Sequence, residues 1–311
     1  MAEHLSTYTT VQYGVLSATQ AAQCGYSSKE IERLCAKKAW TRLRTGIYLP
    51  AEAPEEKDDP LGRHRLRTAA ALLAIDDAKA VVADISAAVI HGLEWVELPD
   101  LTDVVLVRPG RERRYSGLRV RQVKVPASHV VRAPDGMPVL SVARTLVDLA
   151  RRFPLEGVLA MADDALRRNL TTRAEIDGVL TECARLPGVR EAARKLAFAD
   201  GRAESVAESV ARAILIELGF TGFDIQVVVR DENGKVVARL DIAFPFVAIE
   251  IDGKRKYEKP DDVWREKLRQ DAIRTRDYEV VRLIWTELRG DREVVRKKVQ
   301  AALDLAAARA A

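Results

Sequence analysis

Between Phe223 and Gly253 the chain reads FDIQVVVRDENGKVVARLDIAFPFVAIEIDG. Three apolar runs of strand length are separated here by turn-forming residues, a pattern that admits little besides an antiparallel hairpin flowing into a third strand. Side chains two apart share a face of a strand, so Val247, Ile249 and Ile251 point one way while Glu250 and Asp252 point the other. Asp241, near the end of the preceding strand, can face the same space. Carboxylates gathered at strand ends repel one another unless a cation intervenes. Mg²⁺, or Mn²⁺ in its place, suits such oxygen ligands and usually takes one or two carboxylates with water and phosphate oxygens. Lys254 and Lys256 follow at once and offer phosphate partners or charge stabilisation. The same residues would also serve as solvated ion pairs on a surface, and spacing leaves both readings open.

Around these strands, GRAESVAESVARAILIELGF predicts a helix with an apolar stripe of Val206, Val210, Ala213, Ile214 and Leu218, ending at Gly219. Glu204 and Glu208, four apart, are expected to project together from one side of it. Downstream, DDVWREKLRQDAIRTRD reads as a charged helix, YEVVRLIW as a strand and REVVRKKVQAALDLAAARA as a closing helix, giving the order αβββαβα over residues 200–311.

At 311 residues the chain is too long for one ordinary core, and two or three domains are expected. With 48% hydrophobic and 31% charged residues it reads as globular, with no apolar run of membrane-spanning length and no secretory leader, so a cytoplasmic protein without membrane partners is expected. Cys24, Cys35 and Cys183 are scattered and form no Cys/His cluster, which supports neither zinc nor a disulfide framework; Cys24 and Cys35 lie among apolar neighbours and read as core. Fifty basic against 46 acidic residues permit nucleic acid without demanding it. The stretch IYLPAEAPEEKDDPL reads as a linker and a second seam lies within 184–205, dividing the chain into residues 1–50, 60–198 and 200–311.

In the first part Ser17 can cap a short helix ending before Gly25, and Ser27 with Glu30 forms a capping box for a second. Ile31, Leu34 and Cys35 give that helix its apolar side, while Lys29, Arg33 and Lys37 recur four apart on another face. After Trp40, TRLRTGIYL reads as two strands turning at Thr45 and Gly46 and carries Arg42 and Arg44. Such a helix can lie in a major groove with the hairpin as a wing, and it can equally be a solvated face. The middle part alternates over LTDVVLVRPGRERRYSGLRVRQVKV as antiparallel strands do. Its Arg111, Arg113, Arg114, Arg119, Arg121 and Lys124 make either a charge-guarded sheet edge or a phosphate-contacting surface. His91 reads as a core histidine, since no nucleophile and orienting acid assemble around it.

Two resemblances add to these readings. G-V-L-S-x-x-Q-A from Gly14, then Gly25, then W-T-R-L-R-T-G-I-Y from Trp40 resembles the N-terminal winged helix of the AbiEi-type abortive-infection antitoxins, and S-A-A-x-x-H-G-L looks like a packing motif of the same family's middle region. R-x-E-S, R-L-D-I-A-F-P, A-I-E-I-D-G-K-x-K-Y, W-x-E-K-x-R-Q-D and V-V-R-L together look like the Vsr-like branch of the PD-(D/E)XK nuclease superfamily, over essentially all of 200–311. The fold these resemblances imply is α+β and multidomain: a winged helix-turn-helix at 1–50, an antitoxin-like α/β middle region at 60–198 and a restriction-endonuclease-like αβββαβα domain at 200–311. They imply double-stranded DNA as partner, a nucleotidyltransferase-like toxin encoded nearby, and a role in toxin-antitoxin function or phage defence. Lys29, Arg33, Lys37, Arg42 and Arg44 would hold the DNA. Asp241, Glu250 and Asp252 would hold Mg²⁺, Glu204 or Glu208 would be the helix acid, and Lys254, Lys256 or Lys267 on the next helix would stand in for the superfamily's lysine. That lysine belongs two residues beyond Glu250, where this chain has Asp252, as the resembling branch usually does. No histidine follows His129, so histidine-assisted cleavage is excluded. The alternative is a non-catalytic antitoxin and transcriptional repressor whose nuclease-like domain only binds.

Overall fold

The computed structural model describes residues 2–310 apart from 54, 56–57 and 253–277. These residues form a mixed α/β chain with helices and several sheets, divided into two compact units. The first comprises Met1–Leu93, Glu97–Arg152 and Thr171–Ala192, and the second comprises Glu94–Val96, Phe153–Leu170 and Ala193–Ala311.

The first unit opens with α1 (Ala2–Val11), a helix that sequence periodicity did not suggest, followed by β1 (Leu16–Ser17), α2 (Ala18–Gln23) and α3 (Ser28–Ala36). Both expected caps are made. Ser17 Oγ accepts from the Gln20 amide at 3.2 Å while Gln20 Oε1 accepts from the Ser17 amide at 2.8 Å, and Ser27 with Glu30 repeats the exchange at 3.3 and 2.8 Å. Gly25, at φ +90°, makes the turn between the helices that a side chain would strain. Strands β2 (Thr41–Arg44) and β3 (Ile47–Leu49) then turn at Thr45 and Gly46, and β1 pairs with β3 to complete a small sheet. Leu16, Ala21, Ile31 and Trp40 form its core, with Tyr26 and Tyr48 tilted against the indole.

The same unit continues through α4 (Pro60–Ile75), β4 (Val81–Val82), α5 (Asp84–His91), β5 (Val104–Arg108), β6 (Arg113–Tyr115), β7 (Leu118–Gln122), β8 (Val130–Arg132), β9 (Pro138–Leu140) and α6 (Val142–Ala150). Its larger sheet has the order β6-β7-β5-β4-β9-β8. Strands β5 and β7 run parallel, with β6 antiparallel outside them, which corrects the expectation that 104–122 is an antiparallel run. Alternation is blind to strand direction: Val104, Leu106, Leu118 and Val120 are all buried in one core cluster whichever way the chain returns. Val15 and Ile47 belong to that cluster with Ala69–Leu72, so residues 1–50 share a core with the middle of the chain and do not stand apart from it.

Helices α7 (Leu155–Arg167), α8 (Arg173–Glu182), α9 (Val189–Leu196) and α10 (Val206–Glu217) follow in the chain. In the second unit, α10 leads into β10 (Asp224–Arg230), β11 (Val236–Phe244), β12 (Val247–Asp252), β13 (Glu279–Ile284), α11 (Trp285–Leu288) and α12 (Arg292–Ala310). The sheet order is β10-β11-β12-β13, antiparallel until β13 joins β12 in parallel. The charged helix expected within 261–277 lies outside the described residues. Helix α7, read from sequence as part of the middle domain, packs here against α10. Asp163, 1% exposed, accepts from Ser209 Oγ, Arg212 Nη1 and the Asp200 amide, each at 2.7 Å.

Candidate functional site

Strand β12 carries its side chains as parity demands. Val247, Ile249 and Ile251 join the apolar cluster shared with α10 and α12, whereas Ala248 belongs to a second cluster with Val229, Ala238, Leu240 and Ala243. Glu250 is on the side of Ala248 and is only 7% exposed, while Asp252 is exposed at the end of the strand. A carboxylate this deep is costly unless other groups compensate it, so Glu250 is the first residue of the candidate site.

Asp241 lies on the neighbouring strand. The register that pairs Ile242 with Ile249 places it across from Glu250, and its Oδ2 accepts from the Ile251 amide at 2.8 Å. The side chain thus occupies the place where the β11 and β12 ladder ends. One strand further, β10 pairs Ile225 with Ile242 and Val227 with Leu240, which puts Gln226 across from Asp241. Gln226 has φ +53°. Its Nε2 donates to Glu208 Oε2 at 2.8 Å, and its Oε1 is buried with no hydrogen-bond partner among the described residues.

Glu208 and Glu204 do not act as the expected helical pair. Helix α10 begins at Val206 with Ser205 as its N-cap, so Glu204 lies outside it. Glu208 is 8% exposed and supports the cap: Oε1 accepts from Ser205 Oγ at 2.8 Å and Oε2 from the Glu204 amide at 2.9 Å. Glu204 turns away to Arg239 at 2.7 Å, a half-exposed pair. The S-x-x-E spacing of Ser205 and Glu208 was the signal for this capping role, and Gln226, absent from the sequence-based site, had none. Lys254, Lys256 and Lys267 lie outside the described residues. Among the described residues no group of three or more His, Cys, Asp or Glu side chains converges as a metal cluster. What remains is a hard oxygen set of two carboxylates, Asp241 and Glu250, with the orphaned amide oxygen of Gln226. That set fits Mg²⁺, which leaves most of its coordination to water and phosphate.

On the first unit, Lys29 and Arg33 are exposed on α3, Lys37 is exposed at its C-cap, and Arg42 is exposed on β2. Arg44 differs: it is partly buried, its Nη2 donates to the Ser116 carbonyl at 3.2 Å, and burial holds its guanidinium below the usual value. The basic strands 111–124 are in part a guarded edge. Strand β6 is outermost and exposed, Arg114 and Arg119 reach Asp103 at 3.3 and 3.6 Å, and Arg121 reaches Asp84 at 3.1 Å. His91 Nε2 donates to the Leu140 carbonyl at 2.7 Å, and burial lowers its pKa, as a neutral core histidine requires. His64, unremarked in the sequence, is wholly buried between the Leu101 carbonyl and Ser86 Oγ.

Two Mycobacterium tuberculosis proteins, Uncharacterized protein MT2308 of strain CDC 1551 / Oshkosh and Uncharacterized protein Rv2248 of strain ATCC 25618 / H37Rv, are each 30% identical over 251 residues, 80% of this chain and 86% of theirs. The chain belongs to their family. No protein-family model matches it. The crystal structure of the RV2827C protein from Mycobacterium tuberculosis superposes with a TM-score of 0.41 at 18% identity, over 74% of this chain and 84% of that one.

Proposed function

We propose that the protein is a DNA-binding protein of the toxin-antitoxin or phage-defence type whose second unit carries a Mg²⁺-dependent DNA endonuclease site. The observation that carries the reading is the buried Glu250 set across from Asp241 at the end of the β11 and β12 ladder. The AbiEi-like and Vsr-like motifs of the sequence point the same way. In this reading the first fifty residues form a winged helix, and residues 200–311 form a PD-(D/E)XK nuclease-like domain.

Asp241 and Glu250 would hold the metal, with Asp252 exposed beside them at the strand end. The ion would supply a hydroxide-like nucleophile at neutral pH and charge neutralisation at the departing oxygen. The chain's own residues do the rest. Glu208 fixes the start of α10 and, through Gln226, the near edge of the sheet. Ile251 donates its amide to Asp241 and so orients that carboxylate. Lys29, Arg33, Lys37 and Arg42 bring duplex DNA to the protein by phosphate contact. Asp241→Asn should abolish metal-dependent cleavage while duplex affinity in EDTA, read by gel shift, stays within about twofold. Cleavage retained in that variant would remove Asp241 from the site.

A second reading has one observation in its favour. Because the described acidic residues do not converge in a group of three, the nuclease-like unit would only bind, and the protein would act as an antitoxin and repressor through its first fifty residues. It predicts salt-sensitive duplex binding with no cleavage under any metal.

A further inference from the structure

Gln226 stands out in the second unit because three independent features meet there. It is in the interior of β10, yet its φ of +53° belongs to the left-handed region that a long side chain rarely adopts. Its amide nitrogen is committed to Glu208 Oε2 at 2.8 Å. Its amide oxygen is buried and accepts from no group among the described residues. The orientation of the amide follows from chemistry: turned the other way, its oxygen would face a carboxylate oxygen, acceptor against acceptor. The unpaired atom is therefore the carbonyl oxygen.

Backbone strain in a strand persists only where the surroundings over-determine it, and such outliers gather at functional positions. The surroundings here are explicit. Ile225 belongs to the core cluster beneath α10 and α12, whereas Val227 belongs to the second cluster, so the strand changes its apolar allegiance at Gln226. The left-handed residue makes that change possible and delivers an amide in register with Asp241, which itself lies across from Glu250. A polar row of Gln226, Asp241 and Glu250 thereby crosses three adjacent strands otherwise dominated by apolar residues. A buried carbonyl oxygen lacking a donor is costly, and its remaining partners are a water or a hard cation.

We propose that Gln226 is a cation-binding residue of the Asp241 and Glu250 site, its Oε1 meeting the divalent ion directly or through one bound water, and that the positive φ is retained for this purpose. The inference rests on the metal-site reading above. It adds an amide oxygen to the two carboxylates and ties the site to Glu208, whose carboxylate fixes the far end of the same amide.

The test uses Mn²⁺ alone with the full chain, measuring affinity by electron paramagnetic resonance of free Mn²⁺ and Tm with and without the ion. Glycine keeps a positive φ without strain while removing the amide, so Gln226→Gly is expected to bind Mn²⁺ at least tenfold more weakly than the wild type and to gain less Tm from it. Gln226→Glu keeps the length of the side chain and supplies an oxygen of higher charge. It should bind Mn²⁺ at least as tightly as the wild type while melting lower without metal, because it faces Glu208. Equal affinity in the wild type, Gln226→Gly and Gln226→Glu, with binding lost in Asp241→Asn, overturns the role of Gln226 and leaves the Asp241 site standing. Wild-type protein that binds no Mn²⁺, or Asp241→Asn that binds it undiminished, overturns the underlying site and this inference with it.

Discussion

Asp163 shows how a single residue can govern the second unit. Its carboxylate is buried between α7 and α10, and burial, outweighing Arg212, pushes its pKa up to about 6. A folded-state value above the ordinary 3.8 means that between about pH 4 and 6 the folded protein keeps a proton that the unfolded chain has released. Stability of this unit is therefore expected to fall as pH rises through that window and to level off above it. Urea titrations across the window should show the slope in the wild type and lose it in Asp163→Asn; an identical slope in both would assign it to other groups. Asp163→Ala leaves Arg212, itself buried, without its carboxylate and should cost about 3 kcal/mol at pH 7. Nothing in the sequence around Asp163 announces this role, because its partners Asp200, Ser209 and Arg212 come from other segments.

Among the elements, those defined by local chemistry were legible in the sequence. The caps at Ser17 and Ser27, the hairpin at Thr45 and Gly46, and the parity of β12 all stand where residue spacing put them. Elements defined by distant partners were not. The parallel pairing of β5 with β7 and the positive φ at Gln226 leave no periodic trace, since alternation records burial and says nothing of direction or φ. Glu208 is legible as a cap from its S-x-x-E spacing to Ser205, but its four-residue spacing to Glu204 equally suggests a shared helix face, even though Glu204 lies before the helix. Helix α3 depends on a bed of aromatic rings: Trp40 packs between Tyr26 and Tyr48 under Ile31. Trp40→Ala should cost about 3–5 kcal/mol by chemical denaturation. A cost below about 1 kcal/mol would mean that the small cluster does not hold this helix.

For the molecule as a whole, one chain carries a basic helix in its first unit and a buried acidic pair in its second, to which the proposed function gives duplex binding and phosphodiester chemistry respectively. Binding should carry the signature of counterion release. Arg33→Ala and Arg42→Ala are each expected to weaken binding and to reduce the salt slope by about 0.9 if one phosphate contact is lost. Arg44→Ala should change the slope less, because its guanidinium already serves the Ser116 carbonyl. Equal slopes in the wild type and Arg33→Ala would take α3 out of the interface. Metal-dependent cleavage at Glu250 is tested by incubation of supercoiled plasmid with the purified chain and with Glu250→Gln, in Mg²⁺, Mn²⁺ and EDTA. Nicking that requires metal and is lost in the variant is the expected result. Intact plasmid with the wild-type protein in both metals, or nicking that survives Glu250→Gln, would contradict it.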